Sequence, residues 1–213
     1  MQIHTVPVTP FMQNCRIVVC EKTNDAAIVD PGGDTHKLIA KLNRLNITPS
    51  TIWLTHGHLD HVGAADELAR EFNIDIIGPH ADEQFWFDAL PQQAQMFGFA
   101  PRPAFLPTRW LTPGEVLTLG ELNFEVRLCP GHTPGHVILV EHQNKIVLVG
   151  DVIFKGSIGR TDFPKGDGPT LIASIHREVL SLADDYSILS GHGEDTTVGH
   201  ERQTNPFVSG KFG

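Results

Sequence analysis

Short apolar runs separated by glycine, proline and polar turns recur along the chain and read as strands. RIVVCE (16–21) and AAIVD (26–30) flank the polar turn KTND, and TIWLT (51–55) is a further buried strand. Thr35 is placed to cap a helix that runs to about Leu45, with Leu38, Ile39, Leu42 and Leu45 along one face. VGAADELAREF (62–72) reads as a second helix and IDIIG (74–78) as another strand. In the second half EVLTL (115–119) and LNFEVRLC (122–129) form a hairpin about Gly120, and HVILVEH (136–142) with KIVLVG (145–150) forms another. TLIASIHREVLSLA (170–183) is helical, and YSILSG (186–191) is a final strand. Strands outnumber helices, and a weak echo between IVDPGG (28–33) and LVGDVIFKG (148–156) hints at a duplicated unit.

Two stretches break this rhythm. Residues 80–110 are rich in aromatic residues and proline; within them, 82–99 is either a lid or pocket wall at a site or a helix packed on the core, and the pattern favours the helix. The loop DVIFKGSIGRTDFPKGDGP (151–169) is long and has little regular signal, which favours function.

Composition narrows the field. The chain has 213 residues, 40% of them hydrophobic and 19% charged, which suits one globular domain spanning 1–213. A net charge of −9 and scattered basic residues argue against nucleic acid and anionic lipid as partners. The three cysteines, Cys15, Cys20 and Cys129, form no disulfide framework and fit a reducing compartment, with Cys129 read as a small buried hydrophobe. MQIHTVPVTPFMQN has no signal-peptide pattern and no apolar run reaches the length of a membrane span, so a soluble cytoplasmic protein is expected. Oligomeric state is not legible.

The chemistry is concentrated in THGHLDH (55–61). Residues two apart on extended backbone face the same way, so His56 and His58 can address one ion. Asp60 and His61 turn the corner into the following helix and can address a second. Further candidates follow apolar strands beside glycine: His132 in CPGHTPGH (129–136), Asp151 after KIVLVG and His192 after YSILSG. His136 reads as a support for a ligand.

The series THGHLDH, GHTPGH, GD and GHG, in this order, resembles the metallo-β-lactamase superfamily over residues 30 to about 192. The resemblance implies an α+β fold, an αββα four-layer sandwich with the site at one edge of the two sheets. It implies that His56, His58 and His132 bind one metal, that Asp60, His61 and His192 bind another, and that Asp151 bridges them. Asp30, in VDPG, would orient a ligand histidine. Asp60 and Asp151 are the carboxylates of the implied catalytic centre. The cofactors are two divalent ions, zinc first, with iron and manganese also suited to such ligands. Metals held this way generate hydroxide near neutral pH and polarise a carbonyl, the chemistry of ester, amide or phosphoester hydrolysis.

Within the superfamily, THGHLDHVGAADEL, GHTPGHV and GDVIFKGSIGRTDFP resemble glyoxalase II most. The implied substrate is a glutathione thioester such as S-lactoylglutathione, the implied role methylglyoxal detoxification. A thiolate leaves readily, so no strong general acid is needed. Arg160, and more weakly Lys155, match basic positions that would contact glutathione. The family's C-terminal helical region and its substrate-side tyrosines have no counterpart here: Asp162 and Gly193 stand where tyrosines are expected, so weak or broad thioester selectivity is expected. A mononuclear-iron persulfide dioxygenase shares HxHxDH and GRTDF (159–163) and is the nearest alternative, followed by a lactonase and by a metal-binding protein without turnover.

Overall fold

The computed structural model describes residues 1–210. Its strands are β1 (Gln2–Val8), β2 (Gln13–Val19), β3 (Ala26–Val29), β4 (Thr51–Trp53), β5 (Asp75–Ile77), β6 (Val116–Leu119), β7 (Leu122–Leu128), β8 (Val137–Glu141), β9 (Ile146–Gly150), β10 (Ile153–Phe154), β11 (Ser157–Ile158), β12 (Ser187–Ser190) and β13 (Thr196–Thr197). The helices are α1 (Thr35–Leu45), α2 (Leu59–Val62), α3 (Ala65–Phe72), α4 (Gln84–Asp88), α5 (Leu90–Phe97), α6 (Gly168–Ser174) and α7 (Val198–Thr204).

One sheet has the order β1-β2-β3-β4-β5 and a second β13-β12-β9-β8-β7-β6, while β10 and β11 form a small separate hairpin. Alternation along the strands assembles the layers. Ile17 and Ile28 of the first sheet face outward onto Leu38 and Leu42 of α1 and Leu68 of α3. Val18, Ala27 and Val29 face inward, against Leu117, Phe124, Val126, Leu139 and Leu148 of the second sheet. That sheet's other face, with Ile138, Val140, Val147 and Val149, meets Leu171 of α6, Ile175, Val179 and Val198 of α7. The result is helix, sheet, sheet, helix, the sandwich that the motifs imply. Central strands covered on both faces lose the polar alternation of a half-exposed sheet, which is why they read as continuous apolar runs.

Several local expectations shift. Thr35 is the first helical residue of α1; Asp34 occupies the cap position in the left-handed region, with no side-chain cap bond. The helix expected over 62–72 is two pieces, α2 and α3. They part where Gly63 lies so close to other backbone that a Cβ would stand 2.6 Å from the Gly32 carbonyl oxygen. The helix expected over 170–183 begins at Gly168 and continues from α6 as a π-helical turn over Ile175–Val179. In the aromatic segment, Phe87, Leu90 and Ala94 pack in the core, whereas Trp86, Met96 and Phe97 line a cleft. It is therefore a core helix pair on one face and a cleft wall on the other. No described helix is long and apolar enough to cross a membrane.

The strands deliver their chemistry to one edge. Asp30 directly follows β3, His56 lies just beyond β4, Asp151 directly follows β9, and His192 lies just beyond β12. Since β3 pairs parallel with β4, and β9 with β12, the ends of each pair point the same way. Backbone bonds pin the two sheets together at this edge: Val137 N–H donates to the Thr55 carbonyl at 2.9 Å and Asn14 N–H to the Gly191 carbonyl at 2.7 Å.

Candidate metal centre

The histidine loop is shaped by close approaches that only glycine permits. A Cβ on Gly57 would stand 2.6 Å from Cβ of Trp86, and one on Gly32 would overlap the Asp60 carbonyl. His56 therefore sits fully buried on the extended exit from β4, and His58 follows in extended backbone before α2 turns Asp60 and His61 toward the same edge.

Six of the predicted residues fall into two groups. One candidate ligand atom from each of His56, His58 and His132 lies within 4.8 Å of the others, and the same holds for Asp60, His61 and His192. His58 Nδ1 is 3.1 Å from His56 Nε2 and 3.0 Å from His132 Nε2. Asp151 lies between the groups: its Oδ1 is 3.3 Å from His61 Nε2, and its Oδ2 is 3.8 Å from His132 Nε2 and 3.5 Å from His192 Nε2. His192 Nε2 is also 3.2 Å from Asp60 Oδ2.

The outer hydrogen bonds fix the tautomers. Asp30 accepts from the Thr55 N–H at 2.8 Å, the Thr55 hydroxyl at 2.7 Å and His61 Nδ1–H at 2.9 Å. With its proton committed to Asp30, the Thr55 hydroxyl accepts from His56 Nδ1–H at 3.0 Å. His132 Nδ1–H donates to the Arg160 carbonyl at 2.7 Å and His192 Nδ1–H to the Phe11 carbonyl at 3.1 Å. Nε2 of His56, His61, His132 and His192 is then the nitrogen aimed inward and left to take a cation. In the first group the lone pairs of His56 and His132 thus converge on His58 Nδ1, and in the second the imidazoles face carboxylate oxygens. His61 Nε2 and Asp151 Oδ1 are buried without a hydrogen-bond partner. His58 Nδ1–H can donate to only one of its two neighbours at a time, whereas a divalent cation satisfies all of these inward atoms together, so the donor chemistry fits divalent metal. Asp30, His56 and His61 also converge, but the Asp30 oxygens are already occupied by Thr55 and His61.

In the first group protonation agrees with this. Burial, reinforced by neighbouring imidazoles, holds His56 and His58 well below the usual histidine range, and burial lowers His132 as well, so all three are neutral. In the second group, among the side chains alone, burial opposes charge on His61 and Asp151 but their mutual attraction outweighs it, raising the imidazole and lowering the carboxyl; the proton this puts on His61 Nε2 stands where a metal would displace it.

A supporting frame surrounds these groups. His136 is buried, accepts from the Asp151 N–H at 3.1 Å and stacks on His56 with centroids 4.6 Å apart. Glu83 is fully buried and joins the two histidine loops, accepting from Gly57 N–H at 2.8 Å and Gly135 N–H at 2.7 Å. Gln93 accepts from Leu59 N–H at 2.9 Å and donates to the Trp86 carbonyl at 2.8 Å. Glu83 and Gln93 carry no motif. Their signal is a polar residue among the apolar positions of an aromatic segment, and sequence reasoning passes over it. Cys129 is buried in the second outer core, where burial pushes its thiol well up.

The centre opens into a cleft of about 490 Å³ whose lining includes Phe11, Trp86, Met96, Phe97, Arg160 and Phe163. Arg160 is at the cleft, but its guanidinium donates to Asp162 at 2.7 and 2.6 Å. Lys155 is not among the cleft-lining residues; its ammonium pairs with Glu194 at 2.5 Å.

Comparison with known proteins converges on the same reading. A family model described as the metallo-beta-lactamase superfamily matches residues 8–192. The chain is 49% identical over 212 residues to hydroxyacylglutathione hydrolase GloC of Haemophilus influenzae, a match covering 99% of this chain and 100% of that protein. The crystal structure of the BLEG-1 B3 metallo-beta-lactamase matches with a TM-score of 0.90 at 38% identity, covering 98% of this chain and 100% of that one. That of TTHA1623 in a di-iron-bound form matches with a TM-score of 0.88 at 34% identity, covering 96% and 100%. Four layers, histidines and aspartates gathered at one sandwich edge, and a family match over most of the length make this chain a member of the metallo-β-lactamase superfamily.

Proposed function

We propose that the protein is a metal-dependent hydrolase that cleaves glutathione thioesters of the S-lactoylglutathione type. The observation that carries this is the double set of inward imidazole nitrogens and carboxylates with Asp151 between them. The likeness to a hydroxyacylglutathione hydrolase supports the substrate class. His56, His58 and His132 would hold one ion, Asp60, His61 and His192 a second, and Asp151 would touch both. Zinc suits this imidazole and carboxylate set, as does iron, which the relative TTHA1623 carries as a pair. When bound, such ions supply a water of lowered pKa and polarise the thioester carbonyl.

The chain's own residues do the remainder. Asp30, Thr55 and the carbonyls of Arg160 and Phe11 keep the histidine protons on the outer nitrogens. Trp86 and Phe163 stand beside His58, with ring centroids 4.5 and 5.3 Å away, and keep bulk water from that side. The leaving thiolate is stable near neutral pH, so no side chain has to protonate it. For Arg160 to take a glutathione carboxylate, that carboxylate must displace Asp162; this supports a weak contact and loose selection of the thiol half. Lys155 would reach substrate only by leaving Glu194.

HxHxDH, and with it Asp60 and His61, is shared with mononuclear dioxygenases, so the preference for a dinuclear hydrolase rests on the likeness to a hydroxyacylglutathione hydrolase. The likeness to BLEG-1 raises β-lactams as a second substrate class. The test is product analysis on metal-loaded protein. Free glutathione and lactate from S-lactoylglutathione, without oxygen uptake on glutathione persulfide, are the expected result. Oxygen uptake without thioester cleavage overturns the proposal, and β-lactam cleavage alone replaces its substrate class.

A further inference from the structure

The cleft's wall and its few polar groups say more about the acyl half of the substrate. A continuous series of rings runs from the mouth to the metal centre. Phe11 meets Phe97 at a centroid distance of 5.6 Å, Phe97 meets Phe163 at 6.2 Å, and Phe163 meets His58 at 5.3 Å. Trp86 closes the same wall at 6.1 Å from Phe163. Phe11, Met96 and Phe97 are 44%, 72% and 38% exposed, so large apolar side chains are kept open to water at this place. A concentration of exposed apolar surface around a site marks what the site receives.

Most of the cleft's polar groups are already committed. Both amide ends of Gln93 are used on Leu59 N–H and the Trp86 carbonyl. The Arg160 guanidinium is forked onto Asp162 and lies 4.0 Å over the Phe163 ring. At the floor, His58, Asp60, His132, Asp151 and His192 belong to the metal centre. Gln92 and the indole N–H of Trp86, which has no hydrogen-bond partner, are the remaining polar groups of the wall. An unsubstituted alkyl or aryl group would replace water over Phe11, Met96, Phe97 and Phe163.

We propose that the preferred substrates are thioesters with an apolar acyl group of about four to eight carbons, aliphatic or aromatic, held against the Phe11–Phe97–Phe163 wall. This rests on the thioesterase reading and specifies its substrate class. Burying one methylene contributes about 0.8 kcal/mol, so kcat/KM rises roughly fourfold for each methylene that reaches the wall.

The test is thiol release by the metal-loaded protein from S-acetyl-, S-butyryl-, S-hexanoyl-, S-benzoyl- and S-lactoylglutathione. The expected result is a rise of about two- to fourfold in kcat/KM per methylene from acetyl to hexanoyl, with lactoyl as the reference substrate. Phe97→Ala and Met96→Ala flatten the rise, whereas Leu106→Ala, an exposed position outside the cleft, leaves it as steep. A flat series overturns the inference and leaves thioester hydrolysis standing. A rise that is undiminished in both cleft variants overturns the assignment to this wall. Failure to cleave any member overturns the thioesterase reading itself, and the inference with it.

Discussion

Asp30→Asn is the sharpest perturbation of the frame around the metal centre, because it changes one atom and leaves the shape. Asp30 Oδ1 holds the Thr55 N–H, while Oδ2 accepts from both the Thr55 hydroxyl and His61 Nδ1–H. Asparagine must put an NH2 on one of these sides. On the Oδ1 side it meets the buried Thr55 N–H, leaving an unsatisfied donor at a cost of about 1–3 kcal/mol. On the Oδ2 side it is accommodated if His61 accepts at Nδ1, which moves the imidazole proton to Nε2. That nitrogen faces Asp151 at 3.3 Å and Asp60 at 4.0 Å, and once protonated it cannot bind metal. Partners of this kind are worth about 10- to 100-fold in metal affinity, or about 1.4–2.7 kcal/mol. The assay is competition with a chromophoric chelator, resolving two binding events in wild type. In Asp30→Asn the event assigned to Asp60, His61 and His192 weakens 10- to 100-fold. The event assigned to His56, His58 and His132 changes less, since it feels Asp30 only through the Thr55 hydroxyl. A folded Asp30→Asn protein that binds both metals with wild-type affinity would refute the tautomer argument.

Three further outcomes follow from the same geometry. Burial pushes the Glu83 carboxyl up to about 7, against the two N–H groups that favour its charge. A folded-state pKa above the unfolded one gives stability that is present at low pH and lost as pH rises through about 7, so wild type should lose roughly 3 kcal/mol relative to Glu83→Gln between pH 4.5 and 8. Urea denaturation of both at saturating metal measures the difference, and a gap that is constant with pH, or grows the other way, contradicts it. A Cβ on Gly191 would stand 2.3 Å from Asp151 Oδ1 and 2.8 Å from His61 Cε1. Gly191→Ala should therefore cost about 1–3 kcal/mol of stability and weaken metal binding together, as read by thermal melts with and without metal. Because Asp162 already holds the Arg160 guanidinium, Arg160→Ala should raise KM for S-lactoylglutathione by less than about fivefold. A rise of a hundredfold would make Arg160 a true glutathione anchor.

Much of the site is legible in the sequence because its residues sit where short apolar strands end. THGHLDH needs only the alternation of extended backbone to bring His56 and His58 together, and the structure does so with their nitrogens 3.1 Å apart. Strand order is less legible: both sheets have helices outside and each other inside, so inward and outward positions are alike apolar. β1 is easily overlooked, since only its last residue, Val8, is buried and Pro7 interrupts its pattern. The turn after it matters nonetheless, because the Phe11 carbonyl orients His192 while the Phe11 ring forms the cleft rim. Glu83 escapes for a different reason. Its partners, Gly57 and Gly135, are backbone groups distant in sequence, and no side-chain motif announces a bond to a backbone N–H. α7 is similarly hidden: Thr197 caps it by accepting from His200 N–H, a short-range signal that its polar sequence VGHERQT does not reinforce.

The measurement that bears most directly on the central claim is thioester turnover as a function of metal loaded. Protein stripped by a chelator is titrated with zinc and, separately, with iron, while thiol release from S-acylglutathiones is followed. The two-group geometry predicts no release from stripped protein and a rate that climbs to its plateau at two metals per chain. Full release from metal-free protein, or a plateau at one metal with no further gain from the second, would contradict it.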